Sequence, residues 1–179
     1  ASCLVGSEMC IRDSKEIVEN FTAKGLNQCI AEVPYPTGTV QIEIDQAGIP
    51  QYDIKENVAW DNIPYTEALE SLARRTRAVC FGSLAQRNIV SRTTINSFLD
   101  AMPQDEGQLV VFDVNLRQGF YNKEILCNSM KRCNILKIND EELVTVSRMF
   151  GYPGIDLQDK CWILLGKYNL KMLCLLYTS

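Results

Sequence analysis

The chain has 179 residues, 46% of them hydrophobic and 22% charged, a composition that excludes a disordered chain, a collagen-like chain and a disulfide mini-protein. The length suits one domain with its own core, since a domain of ~150 residues hides roughly 70% of the surface its unfolded chain exposes. With 18 basic and 22 acidic residues the net charge is −4, which speaks against a basic nucleic-acid-binding surface, and no stretch approaches the ~18–20 uninterrupted apolar residues of a membrane helix.

Residues 1–14, ASCLVGSEMCIRDS, lack the basic start, long apolar run and small-residue site of a signal peptide. They resemble translated sequencing-adapter DNA, as does CLLYTS at 174–179, and both stretches are set aside from the fold reading as non-native tails. Of the 8 cysteines, Cys29, Cys80, Cys127, Cys133 and Cys161 lie between them. An odd number without a CxxC pair, in a chain with no histidine, argues against a disulfide framework and against a zinc site. Cys29 and Cys80 sit in apolar, strand-like runs and read as small core residues. Unpaired thiols point to a reducing compartment, hence the cytoplasm.

Residues 15–25 read as the end of a core helix, with Ile17, Val18 and Phe21 on one face, Gly25 as its stop and no strand before it. Residues 26–58 read as a β segment. LNQCIAEV is strand-like, and TGTVQIEID alternates Val40, Ile42 and Ile44 with Gln41, Glu43 and Asp45, as in a half-buried antiparallel strand. A turn at Gln46-Ala47-Gly48 returns the chain along Pro50-Gln51-Tyr52-Asp53-Ile54, with proline near the strand start or on an edge. Over 59–173 the rhythm is strand and helix in turn. Helices are predicted at 65–76, 91–102, 123–133, 139–150 and 156–167. Strands are predicted at 78–84, 108–115 and 135–138 and from KMLCLL onward, the first as a central strand. That spacing means a parallel sheet covered by helices on both faces.

Ligands in such sheets bind beyond the carboxyl ends of the strands, and three places qualify. Gly82-Ser83-Leu84 is either a plain strand-to-loop turn or a site where glycine admits a ligand and serine offers a hydroxyl. In FDVNLR, alternation points Asp113, Asn115 and Arg117 to one side. The set reads as a ligand-binding trio, or as a buried Asp–Arg pair holding the loop 118–122. In KINDEE, Asn139 and Glu142 make a capping box at a helix start. The same geometry would let the amide contact a phosphate and the carboxylate hold a hydrated Mg²⁺. No triad and no GxxxxGK[ST] or GxGxxG loop is present.

Together these segments resemble the ribokinase/pfkB family of carbohydrate kinases, most closely its fructokinase-like members. TGTVQIEIDQAGIPQYDI is similar to the family's substrate-lid hairpin, FGSLAQR to the strand and loop after the lid, FDVNLR to its D-x-N-x-R strand end and KINDEE to its N-x-x-E motif. The resemblance implies a three-layer α/β/α sandwich with a small β-sheet lid, incomplete at both ends, and ATP- and Mg²⁺-dependent phosphorylation of a sugar hydroxyl, with fructose as the first candidate. It implies that Asn139 lies near the ATP phosphates, that Glu142 places Mg²⁺ through water, and that Tyr52, Gly82, Asn115 and Arg117 line the sugar side. Tyr52 is equally readable as an aromatic packed on the inner face of the lid. A homodimer through the lid is implied for a full-length protein.

The family's early Gly-Gly-Asn-type sugar-binding segment would precede residue 15, and its G-x-G-D motif, which supplies the catalytic aspartate, would follow residue 173. Neither occurs in this chain. The expectation is therefore an internal fragment, inactive alone, with no catalytic base of its own. The alternatives are a kinase for 2-keto-3-deoxygluconate or another sugar acid, whose carboxylate would suit Arg117, and a non-catalytic sugar- or nucleotide-binding module.

Overall fold

The computed structural model describes residues 3–8, 11–44, 48 and 50–177. Strand β1 (Cys3–Glu8), helix α1 (Ile11–Ala23) and strand β2 (Asn27–Glu32) come first, and β1 and β2 pair in parallel, Cys3 opposite Asn27 and Glu8 opposite Glu32. The stretch 1–14, set aside on its composition, thus supplies a strand ahead of the first helix. Ladder pairing uses backbone N–H and C=O groups that every non-proline residue carries, so composition does not report it. Helix α1 closes as its glycine predicts. Gly25 has φ +66°, and the Leu26 N–H reaches back to the Phe21 carbonyl at 2.9 Å.

A hairpin follows, β3 (Val40–Ile44) against β4 (Pro50–Ile54), with Ile42 opposite Tyr52 and Ile44 opposite Pro50. Of the predicted turn at 46–48 only Gly48 falls within the described residues, with φ +79°. Among the described residues strand β2 pairs with β1 and not with this hairpin, a flap whose paired residues run over 40–54. The expected half-burial of β3 is not found, for all five of its residues are exposed, Ile44 at 73%. The alternation is present, but no layer among the described residues lies on its apolar side. Ile54, at the flap's root, is buried.

From residue 67 the alternation of helix and strand is realised. The elements are α2 (Glu67–Ala73), β5 (Ala78–Gly82), α3 (Ile89–Ala101), β6 (Leu109–Asp113), α4 (Lys123–Arg132), β7 (Ile135–Asn139), α5 (Asp140–Phe150), α6 (Leu157–Lys167) and β8 (Met172–Leu176). Thr66, Asn88, Asn122, Asn139 and Asp156 cap the helix starts, each side chain accepting an N–H from the first turn. Strand β8 takes in Cys174, Leu175 and Leu176 from the other stretch that was set aside.

The four strands form one parallel sheet in the order β5-β6-β7-β8. Strand β5 is therefore an edge of this sheet and not the central strand its apolar run suggested. Val79 and Phe81 pack on the core, while Ala78 and Cys80 are exposed. Cys80 is accordingly not a core residue, and Cys29 is only half-buried. Phe112, Val114, Leu136 and Ile138 on the sheet meet Leu126 and Met130 of α4, Leu143 and Val146 of α5 and Leu164 of α6 in one buried cluster. Helical cover is tight on this face. At the alternate positions Asp113 and Lys137 stay partly open to solvent. Among the described residues no helix is long and apolar enough to cross a membrane.

Leu136 is completely buried at the centre of this cluster. Leu136→Ala should lower stability by about 2–5 kcal/mol through lost transfer energy and an unfilled cavity. Urea titration checks this, the midpoint falling with little change in slope.

Candidate active site

Parallel pairing carries the carboxyl ends of β5, β6, β7 and β8 to one edge of the sheet, at Gly82, Asp113, Asn139 and Leu176. At the tip of β5 the polar groups are spent on fastening. Buried Ser83 donates its hydroxyl to the Val114 carbonyl at 2.7 Å. Gln86 Nε2 donates to the Gly82 carbonyl at 2.8 Å and to Ser129 Oγ at 2.9 Å. A Cβ at Gly82 would stand in ordinary contact, 3.4 Å from the Asp113 carbonyl. The fold itself therefore does not demand glycine there.

At the tip of β6 the alternation that would align Asp113, Asn115 and Arg117 breaks. Asn115 has φ +39° and Gln118 φ +47°, left-handed values that L-residues other than Asn and Asp adopt at a cost. Asp113 bonds to Lys137 Nζ at 2.5 Å, so the Asp113–Arg117 pair considered from sequence does not form. Asp113 and Lys137 are direct cross-strand neighbours, one strand spacing apart, whereas Arg117 lies beyond the backbone turn. Arg117 is exposed and donates only Nη1, to the Leu116 carbonyl at 3.0 Å. The hydrogen bond to Asp113 pushes the Lys137 ammonium above its ordinary value against an opposing effect of burial, and burial together with Asp113 pushes the Cys80 thiol up.

At the tip of β7 the capping box forms as its spacing predicts. Asn139 Oδ1 accepts the Glu142 N–H at 2.7 Å, and Glu142 Oε2 accepts the Asn139 N–H at 3.0 Å. The other carboxylate oxygen, Oε1, accepts the Leu116 N–H at 2.8 Å. A residue only 8% exposed thus joins the β7–α5 corner to the loop after β6. The Asn139 amide nitrogen, the Asn115 side chain and Nη2 of Arg117 have no hydrogen-bond partner among the described residues. They are the donors left over at this edge. No cluster of three or more His, Cys, Asp or Glu that could hold a metal occurs among the described residues, so a bare divalent cation has no cage here. A hydrated one, as Mg²⁺ commonly remains, is compatible with a single nearby carboxylate.

The flap reaches this edge. Gln118 Nε2 donates to the Tyr52 carbonyl at 2.7 Å, tying β4 to the loop after β6. Tyr52 is 56% exposed and so is not packed under the flap. Arg87, the last residue of FGSLAQR, is the member of the site without a sequence signal. Its side chain is 6% exposed and bonds through Nε and Nη2 to Asp61, itself 1% exposed, at 2.7 and 2.8 Å. The two are 26 residues apart, and no short motif reports such a pair.

Glu142→Gln should place an amide NH₂ against one of two backbone N–H groups. An unsatisfied buried donor costs about 1–3 kcal/mol, readable by chemical denaturation, with faster exchange of the Leu116 amide. The raised Lys137 group adds stability that is present below the unfolded lysine value and is lost as pH rises through the higher folded one. In Asp113→Asn the Lys137 midpoint, followed by NMR, should fall back toward 10.5. An unchanged midpoint would mean that the pair does not persist in solution.

No protein-family model matches the chain, and no curated protein does. Solved structures do. A sugar kinase from Pyrococcus horikoshii, described as uncharacterized, aligns at 21% identity over 82% of this chain and 52% of its own, with a TM-score of 0.66. The same enzyme has been solved in complex with ATP. A fructokinase from Xylella fastidiosa aligns at 14% identity over 100% of this chain and 56% of its own, with a TM-score of 0.77. A ribokinase from Giardia lamblia aligns at 18% identity over 98% and 52%, with a TM-score of 0.67. The chain spans about half the length of these structures. Its parallel sheet, flanking helices and flap are the α/β fold of the ribokinase/PfkB carbohydrate kinases.

Proposed function

We propose that this chain is the central part of an ATP-dependent sugar kinase that moves the γ-phosphoryl group of ATP onto a sugar hydroxyl, with fructose as the first candidate. The observation that carries the reading is the Glu142 carboxylate, which holds the loop bearing Asn115 and Arg117 against the corner bearing Asn139. Phosphoryl transfer depends mainly on positioning and on neutralising negative charge. One edge with unspent Asn and Arg donors on both sides of a fixed junction is suited to that task.

In this reading Asn115 and Arg117 bind the sugar, with Gly82 lining the floor and Tyr52 reaching over it from the flap. The Asn139 amide contacts the ATP phosphates. Mg²⁺ would be carried in by ATP, neutralising phosphate charge, with Glu142 contacting one of its waters. The flap excludes water, which limits wasteful hydrolysis of ATP. The catalytic base is assigned to the G-x-G-D segment of the complete protein and to no residue of this chain. The free thiols, from Cys29 to Cys174, suit a cytoplasmic enzyme, and the exposed Val40, Ile42 and Ile44 give the flap a face for pairing with a second copy. A sugar acid such as 2-keto-3-deoxygluconate is the second reading, favoured by the exposed guanidinium of Arg117, which spends only Nη1 on the backbone among the described residues.

ADP release by the complete protein, assayed with ATP and Mg²⁺ against fructose, ribose and 2-keto-3-deoxygluconate, tests this. Turnover is expected with one of them. Arg117→Ala should raise KM about tenfold or more, the usual cost of losing a charged hydrogen bond. This chain alone should release no ADP. Saturable sugar binding without turnover by the complete protein would instead identify a non-catalytic binding module.

A further inference from the structure

Both roots of the flap and the loop after β6 converge on a single guanidinium. Arg87 Nη2 donates to the Lys55 carbonyl, one residue past the end of β4, at 2.5 Å. Its plane lies over the Trp60 ring at 4.7 Å, and Gly38, two residues before β3, packs so closely on that same ring that a Cβ would collide with it. Phe120, in the loop after β6, covers the guanidinium at 4.4 Å. Asp61 takes Nε and Nη2 together. The remaining nitrogen, Nη1, is buried without a hydrogen-bond partner among the described residues. Arginine alone offers this combination of a planar fork and two stacking faces.

We propose that Arg87 is a positioning residue that makes the flap and the loop carrying Asn115 and Arg117 move as one body. The ties from Gln118 to Tyr52 and from Glu142 to Leu116 extend that body from the flap to the β7–α5 corner. If the edge is the sugar site, a reading on which this consequence rests, Arg87 sets how far the flap stands over it without touching substrate. Neutralising Asp61 is a lesser task that a lysine would also perform. Coupling flap to loop requires the fork and the stack.

Amide hydrogen exchange on the chain itself separates the two and involves neither sugar nor ATP, so it stands or falls apart from the kinase reading. Arg87→Lys keeps a charge for Asp61 but cannot also hold Lys55 and fill the Trp60–Phe120 sandwich. Exchange within 40–55 and 115–120 should rise about tenfold while the amides of α4 and α5 stay at the parent rate, because the flap then opens locally. Phe120→Leu leaves the ion pair intact and should raise exchange at the flap root in the same direction, which keeps the test alive if the lysine variant does not fold. Parent-like exchange in the flap of either folded variant, or a rise spread evenly over core and flap, would overturn the proposal and leave Arg87 as a charge partner only.

Discussion

Two oxygens of one buried carboxylate hold the working edge of this sheet together. Glu142 takes the Asn139 N–H with one oxygen and the Leu116 N–H with the other. The first bond is the familiar reciprocal cap of a helix start. The second reaches across to a different strand's loop and converts a local cap into a fixed distance between two strand tips. Hydrogen bonds from backbone donors to a charged acceptor are among the stronger ones available, and burial keeps water from competing for them. Without this bridge, Asn115 and Arg117 would sit on a loop with left-handed residues at 115 and 118 that is tied to the flap through Gln118 and Phe120 but no longer to the β7–α5 corner.

The fold spends polar groups unevenly along that edge. At β5 the hydroxyl of Ser83 and the amide of Gln86 are consumed in joining strands and helices. At β6 the carboxylate of Asp113 is neutralised by Lys137 from the adjacent strand. What remains unspent is a set of donors with no opposing carboxylate in direct contact, as an anionic or hydroxyl-rich ligand requires.

The flap shows how an exposed two-stranded ribbon can be kept ordered. An isolated hairpin is marginal in water, and β3 gains nothing from burial. Its hold comes from the ends: Ile54 buried at one root, Gly38 seated on Trp60 at the other, and the Arg87–Asp61 pair between them. A buried ion pair is weak evidence for stability in itself, because desolvation offsets much of its attraction. Its value here is geometric, since a fork shared between one carboxylate, one backbone carbonyl and two ring faces allows few arrangements.

Much of this was legible in the chain as written. A capping box marked the helix start at Asn139, the alternation of 40–44 marked a strand, and apolar runs marked β5 and β6. All of these are contacts between residues a few positions apart, and period and capping chemistry encode them directly. What the tertiary structure alone decided is which strand became an edge, that Cys3–Glu8 joined a sheet, that Asp113 chose Lys137 over Arg117, and that Leu116 and Arg87 found partners 26 residues away. Those outcomes depend on register between strands and on which groups are left unsatisfied once the chain is packed, and neither quantity exists until distant segments meet.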